Sequence, residues 1–531
     1  MSLGQRSALG IRTGWPIMAA TAAYCVVLAT TTAKLLHETD GHFSYALDDS
    51  YIHMAIARNL ALHGVWGVHA GSFSAASSSP LWTAILGALF GLIGVREWLP
   101  LLLNAAAAIG TIALVGARLR RNHASSAVQA SILIALVLLT PMVVLTWVGM
   151  EHTPAVLLTL AVAWTAADIA VESTPKRVMT LGVFSMLLVG TRYEGLFVVA
   201  GCAVALGLAG RVGPMIATTA SGLVPPLVVG FWYLSEGWYF LPASIMMKQT
   251  VLLPGDASLF SGLSRNVVNG GVPPAFIALS LAASAMVVWD VRQLGVRRAA
   301  PLPVVLVVAA CLHLLLAKFG FLYRYESYLV ALGVFVVGTE SARRVADVSP
   351  GLDAVTVYTV LVMSLVTFGE RAILSHGEVA VTAGHIYRQQ RQLARFIGRY
   401  YNTDIVALND IGAVSFFATS RIDDLMGLSS RQAADGRREG RLDARSINEW
   451  LDRDRVRVAV IYDATFPSPQ NFQDQWLRVA QWNTDEPSAD QGRVTFYARD
   501  RPAALTLASQ LTEFSSSLPP GSTQRVFVSP R

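Results

Sequence analysis

The amino-acid sequence predicts a polytopic α-helical membrane protein that ends in a soluble α/β domain. Composition is the first ground. Of 531 residues, 53% are hydrophobic and 14% charged, against about 25% charged in an average soluble domain, and the mean hydropathy is +0.48. Long apolar runs are the second ground, recurring up to residue 370. The third is a change of character from residue 371, where charge density rises and short apolar strands alternate with helical patterns.

Taken in order, the apolar runs lie at 15–36, 98–117, 126–148, 153–171, 178–192, 194–210, 213–234, 272–291, 300–318, 327–341 and 352–369. A bilayer needs about 20 residues per helix, so several of these eleven expected spans are short. Residues 1–14 are basic through Arg6 and Arg12, and the run from Trp15 to Leu36 has no clear small-residue cleavage site. It reads as a retained first helix, not a signal peptide. Pro80–Val95 is also apolar, and its placement sets the side of everything after it. If it does not cross, the basic clusters Arg118-Arg120-Arg121, Lys176-Arg177, Arg211, Arg292-Arg297-Arg298 and Arg343-Arg344 share the side of Arg6 and Arg12. If it crosses, all of them are stranded outside. The positive-inside rule therefore makes Pro80–Val95 a short helix on the outer leaflet, with the N-terminus inside and the C-terminus outside. The excess of 41 Lys+Arg over 35 Asp+Glu is thus topological information and not a nucleic-acid footprint. Cys25, Cys202 and Cys311 all fall inside apolar runs and say nothing about disulfides.

The expected division is a membrane segment 1–370, with a first outer loop at 37–97, followed by an extracytoplasmic domain 371–531. Strands are expected at Ile405–Leu408, Val458–Tyr462 and Val494–Tyr497, and helices at Ile386–Tyr400 and Ser446–Asp452. The tail after Arg501, rich in Ser, Pro and Thr, reads as loosely ordered.

No Walker loop, dinucleotide glycine fingerprint, HExxH, zinc-spaced Cys/His cluster or serine nucleophile elbow is present. What remains is a set of carboxylates and cations that the topology sorts to the outer face. Asp48 and Asp49 open a helix-like stretch from Ser50 to His63, where Asp49 or Ser50 could cap the first turn. Acids beside a bilayer are costly without a task, and a partly desolvated carboxylate suits proton abstraction from a hydroxyl. Arg192, Lys248 and Arg324 stand at outer span ends, where they could grip a lipid phosphate. Arg192 with Glu194, or Arg324 with Glu326, could equally pair with each other. Glu151 and His152 fit ordinary helix-end residues as well as ligand contacts. The aromatics Trp232, Tyr233, Trp238, Tyr239 and Phe240 read first as an interfacial belt. Asn409-Asp410-Ile411-Gly412 reads as a turn at a strand end, where α/β sheets also bind ligands.

Several motifs in this order resemble the GT-C class of membrane glycosyltransferases. They are Asp48-Asp49-Ser50-Tyr51 after the first span, Ser77-Ser78-Ser79-Pro80-Leu81-Trp82, Gly149-Met150-Glu151, Thr191-Arg192 with Glu194-Gly195-Leu196, Leu241-Pro242 with Lys248, Arg324-Tyr325, and Asn409-Asp410-Ile411-Gly412-Ala413. The set is most similar to bacterial members related to the actinobacterial terminal arabinofuranosyltransferases. Tyr193 stands where relatives often have proline, and Ala243-Ser244 replaces the usual asparagine-threonine after Pro242.

The resemblance implies inverting transfer of a sugar, such as the pentofuranose arabinofuranose, from a polyprenyl-phosphate donor to an envelope glycan or glycolipid hydroxyl. The site would be on the outer face of a bacterial cytoplasmic membrane. Asp48 or Asp49 would be the base, and Lys248, Arg192 and Arg324 would hold the departing phosphate. Tyr51, His53, Trp82, Glu151, His152, Glu194, Asn409 and Asp410 would contact substrate. A metal need not be required, and Asp49 with Glu151 could supply carboxylates for a divalent ion of the kind some members bind. A lipid-linked-sugar transporter predicts charges deep within the spans. A scaffold binding envelope polymer leaves the acid pair unexplained.

Overall fold

The computed structural model describes residues 3–248, 266, 272–346, 373–462, 475–484 and 492–528. The expected span at 352–369 lies outside the described residues, as does the side chain of Lys248. Two compact units share the chain without following its order. One comprises Met1–Ala33, Trp98–Val228 and Asp256–Val379; the other comprises Lys34–Glu97, Val229–Gly255 and Ala380–Arg531.

The first unit is helical. Helices occupy ten of the eleven expected runs, and six helices among the described residues are long and apolar enough to cross a membrane: Gly14–Glu38, Leu99–Arg121, Ser126–Val148, His152–Val171, Val212–Ser235 and Phe276–Leu294. Gly195–Leu208, Pro301–Leu316 and Ser327–Ser341 are shorter apolar helices. The 126–148 run is interrupted at Thr140 and Pro141, because proline has no N–H to continue the ladder. Small residues let helices approach closely, as in membrane bundles generally. A Cβ on Gly201 would lie 2.6 Å from the Val305 carbonyl oxygen, so the 195–208 and 301–316 helices meet almost backbone to backbone.

The two ends of this unit differ in chemistry. The His152–Val171 helix is 20 residues long, or about 30 Å. Near its C-terminus, Asp168 pairs with Arg118 and Arg121 at 2.6 Å each, Arg177 pairs with Glu172 at 2.7 Å, and Arg211 donates to the Val171 carbonyl at 2.8 Å. Three basic clusters, around Arg118, Arg177 and Arg211, therefore gather at one end, and at the other lie Glu151, His152 and Arg192.

The second unit is built on a six-stranded sheet: β1 Ile405–Leu408, β2 Arg421–Asp424, β3 Val458–Tyr462, β4 Leu477–Thr484, β5 Arg493–Ala498 and β6 Ser522–Val526, in the order β2-β1-β3-β5-β4-β6. β1 pairs parallel with β2 and β3, and the remaining pairs are antiparallel. Alternation puts Ala407, Ala459, Ile461 and Tyr497 on one face, with Ile447, Trp450 and Leu451 of the Ala444–Arg453 helix. Phe496 and Trp482 occupy the other face with Phe396 and Phe514.

Three sequence expectations are corrected here. After residue 500 the described residues carry regular structure: Arg501–Phe514 is a helix capped by Asp500, and Ser522–Val526 is a strand. The average composition of this segment masked apolar residues at helical spacing, Ala504, Leu507, Ala508, Leu511 and Phe514, all buried against the sheet. The early loop helix begins at Asp48, with Leu47 at its N-cap, so neither Asp49 nor Ser50 caps it. Ser50 Oγ instead donates to the Leu47 carbonyl at 2.6 Å. The Ile386–Tyr400 helix contains a π-helical turn, Tyr387–Arg391, which rotates Gln390 and Arg391 relative to a plain α-helix.

The same unit contains two early helices. Asp48–His63 closes on Gly64 (φ 68), whose N–H reaches the Asn59 and Leu60 carbonyls. Pro80–Ile93 is 14 residues long, about 21 Å and short for a span. It buries Trp82, Thr83, Leu86 and Phe90 and exposes Leu92 and Ile93.

Candidate functional site

Asp48 sits in the first turn of its helix with 7% of its surface exposed. Its Oδ2 accepts from the Gly412 N–H at 2.5 Å, and its Oδ1 accepts from the Ala413 N–H at 2.7 Å. These amides open the Gly412–Phe417 helix, directly after β1 and the Asn409-Asp410-Ile411 turn. Glycine is needed at 412 because a Cβ there would overlap the Asp48 backbone carbonyl oxygen and Oδ2. Asp410, in the same turn, brings a second acidic side chain close to this carboxyl. Burial, and then the charge of Asp410, push Asp48 well above the usual carboxylate range, against the pull of the two amides. Asp49, next along the helix, is half-buried.

The neighbours of this acidic centre are built into the same unit. Asn409 braces two strands, donating to the Tyr462 carbonyl at 3.0 Å and accepting from the Tyr462 N–H at 2.8 Å. Gln390, from the π-turn, donates to Asp410 Oδ2 at 2.9 Å. Tyr51 donates to Glu97 at 3.0 Å, and Arg391 donates to the same oxygen at 2.5 Å while its guanidinium lies over the Phe417 ring. Burial raises the proton affinity of Glu97, with Arg391 opposing it, and burial likewise raises that of the Tyr51 phenol.

His53 lies one turn further along the helix and is 2% exposed. Its Nδ1 is 2.8 Å from Thr83 Oγ1 and 3.3 Å from Ser77 Oγ, and its Nε2 is 3.4 Å from Ser78 Oγ. The serine run is thus wrapped around a histidine. Trp82, 2% exposed, is buried on the Pro80–Ile93 helix. Trp232, Tyr233 and Trp238 gather on Phe73, and Trp232 also meets Trp66. These aromatics therefore pack mainly against the early loop. Tyr239 hydrogen-bonds Asp435 and lies under Arg431 and Arg438.

The cationic residues belong to the helical unit. Arg192 follows the Pro175–Thr191 helix and is 7% exposed. Its Nη1 donates to Glu151 at 2.9 Å and to His152 Nδ1 at 2.7 Å, and its Nη2 donates to Glu194 at 2.7 Å. An arginine only donates, so His152 accepts through Nδ1. The pairing of Arg192 with Glu194 is therefore present, joined by Glu151. Two buried polar atoms of this cluster, Glu151 Oε2 and Arg192 Nε, have no partner.

Arg324, 3% exposed, follows three residues in the left-handed region, Phe321, Leu322 and Tyr323. It donates to Met150 Sδ at 3.1 Å and Tyr325 OH at 3.0 Å, and lies over the rings of Phe321 and Tyr325. Glu326 accepts from the Gly320 N–H at 3.0 Å. Below them His313 Nδ1 is 3.0 Å from Tyr328 OH, and its Nε2 is 3.1 Å from the Lys318 carbonyl. Among the described residues, no three His, Cys, Asp or Glu side chains are grouped so as to hold a metal ion.

The expected residues thus fall into two sets. Asp48, Asp49, Tyr51, His53, Trp82, Asn409 and Asp410 belong to one unit, and Glu151, His152, Arg192, Glu194 and Arg324 belong to the other. Gln390, Glu97, Arg391 and Tyr462 escaped the sequence reading, because each becomes a neighbour only through folding across tens to hundreds of residues.

Residues 381–497 match a family model described as "Domain of unknown function (DUF8728)". No curated protein matches the chain. Among solved structures, ArnT from Cupriavidus metallidurans bound to undecaprenyl phosphate is similar with a TM-score of 0.52 at 13% identity, covering 91% of this chain and 99% of that one. The same protein in its apo state also has a TM-score of 0.52 at 13% identity, covering 93% and 99%. At that identity the likeness concerns the fold: this chain has the polytopic GT-C architecture with a C-terminal sheet-containing domain.

Proposed function

We propose that this membrane protein is an inverting glycosyltransferase that moves a sugar from a polyprenyl-phosphate carrier to a hydroxyl of an envelope glycan or glycolipid. The observation that carries the reading is the buried acidic centre at Asp48, at the start of the first loop helix of a GT-C fold. A carboxyl whose proton affinity is raised by burial is matched to taking a proton from an alcohol near neutral pH. The solved GT-C structure that carries undecaprenyl phosphate supports the carrier class.

In this reading the acceptor oxygen attacks the anomeric carbon as Asp48 or Asp49 removes its proton. The bond from that carbon to the phosphate oxygen breaks with inversion, and the lipid phosphate departs. Lys248, Arg192 and Arg324 are assigned to that phosphate, whose charge must be matched for it to leave. Arg192 shares its charge with two carboxylates. Tyr51, His53, Trp82, Glu151, His152, Glu194, Asn409 and Asp410 are assigned to substrate contact or to shaping its surroundings. The catalytic segment is 1–370 with its outer loop 37–97, and 371–531 is its extracytoplasmic domain. The membrane is the cytoplasmic membrane of a bacterium, with the N-terminus inside. An arabinofuranose donor follows from the motif resemblance.

The test is a transfer assay on purified full-length protein with a panel of polyprenyl-phosphate pentoses and hexoses. Asp48→Asn and Asp49→Asn are run in parallel. At least one is expected to lose turnover while still binding donor. Full rate in both variants would remove the base assignment, and no transfer from any carrier would remove the activity.

A further inference from the structure

Asp410 stands two residues before the first amide that holds Asp48, at the C-terminal end of a strand paired in parallel on both sides. In open α/β sheets that edge is where ligands meet the chain. Gly412 and Ala413, which grip the Asp48 carboxyl, follow Asp410 in the same turn, so the two acids are brought close together. Two buried carboxyls set side by side favour keeping one proton between them. Gln390 fixes the other side of Asp410. Its carboxamide oxygen is buried without a partner, on a residue 9% exposed. An unmet acceptor on the group that holds Asp410 fits a hydroxyl donor.

We propose that Asp410 is a positioning residue: with Asp48 it forms a carboxyl pair that shares a single proton and acts as one base toward the acceptor hydroxyl. The inference rests on the glycosyl-transfer reading and identifies which of the two early aspartates is the base. As the acceptor oxygen bonds to the anomeric carbon and the carbon–phosphate-oxygen bond breaks, the hydroxyl proton enters the pair, which passes from monoanion to neutral diacid. It returns to the monoanion by releasing one proton to water. The amides of Gly412 and Ala413 stabilise the ionised form of Asp48 and keep it aligned.

The charged groups around the pair come from every element packed on it. Asp49 is adjacent on the same helix, and Arg58, one face further, donates to the Phe416 carbonyl at 2.6 Å. Arg391 of the π-turn is paired with Glu97, near Tyr51. From β3 the Tyr462 phenol lies in the field of both carboxyls. Arg58 and Arg391 thus have acceptors of their own, and the charge that acts most on Asp48 is that of Asp410.

The experiment replaces Asp410 with Asn in the full chain. Removing one negative charge and leaving a hydrogen-bond donor lets Asp48 ionise at lower pH. With a polyprenyl-phosphate sugar that the native protein accepts, the acid limb of the kcat/KM profile should move down by about one pH unit or more. A second arm needs no donor: the pH dependence of thermal unfolding in detergent. A carboxyl with raised folded proton affinity loses its stabilising contribution as pH climbs from the ordinary carboxylate range through the folded value. The Tm of Asp410→Asn relative to the native chain should therefore rise with pH. Parallel Tm curves together with an unmoved acid limb overturn the shared proton. Absence of transfer by the native chain, with the Tm curves still diverging, overturns the activity and leaves the proton pair standing.

Discussion

Asp48 and Arg192 are each 7% exposed, yet their partners differ in kind. Arg192 is clamped by Glu151 and Glu194, so its charge is matched by opposite charges at 2.9 and 2.7 Å. Asp48 is held by two neutral amides and faces Asp410, a like charge. In a buried opposite-charge cluster, removing one partner strands a charge in a medium that solvates it poorly. A buried acid that meets another acid has a negotiable proton. The two centres therefore differ in what they are suited to: the first to holding a geometry, the second, in the proposed reading, to exchanging a proton.

The comparison can be broken most directly at Asp48. Asp48→Asn should lower transfer by about a hundredfold or more, while Tm changes little because the carboxamide oxygen still accepts one amide. A variant that unfolds outright would instead make Asp48 a structural latch. The opposite pattern is expected for Arg192→Met. Two carboxylates lose their cation, and stability should fall by about 3–5 kcal/mol, read from chemical unfolding in detergent. Glu151→Gln in the same background should recover part of that loss; no recovery would mean that Glu151 is not the stranded charge.

A smaller effect sharpens the acidic side. Gly412→Ala forces a methyl group into the Asp48 carboxylate and should cost about 1–3 kcal/mol, with a parallel loss of activity. An unchanged Tm would show that the contact can relax. The smallest effect serves as a control within the same unit. Asp423, on edge strand β2, is buried beside Asp454 and pushed up to about 7, burial first and Asp454 second. Its contribution is lost as pH rises from the ordinary carboxylate range through about 7. Asp423→Asn should therefore be relatively more stable above neutral pH, in thermal unfolding curves, with no shift in the transfer profile. A shift in that profile would show that the two acid pairs are coupled.

Much of this was readable in the residues. The strands at 405–408 and 458–462 were marked by their apolar runs, and Asp48 stood out because an acid next to a first span is costly. Neighbourhood was harder to read. Nothing near position 390 marks Gln390 as a partner of Asp410, since only a π-turn rotates it there. The 501–514 helix was hidden because polar residues around it lowered the average, while its apolar stripe counts only once a sheet exists to cover it. His53 and the serine run illustrate the same divide. The family resemblance assigned His53 to substrate contact and marked the serine run only as a motif, and folding brought them together as one hydroxyl-lined histidine.

The sequence by itself determined that the chain spans a membrane, where its helices run and that a sheet domain follows, because hydrophobic periodicity and length act locally along the chain. Only the tertiary structure decided which charges meet an opposite charge and which acids are set against one another. Those outcomes depend on distances between side chains that burial and dielectric turn into energy, and no spacing along the chain encodes them.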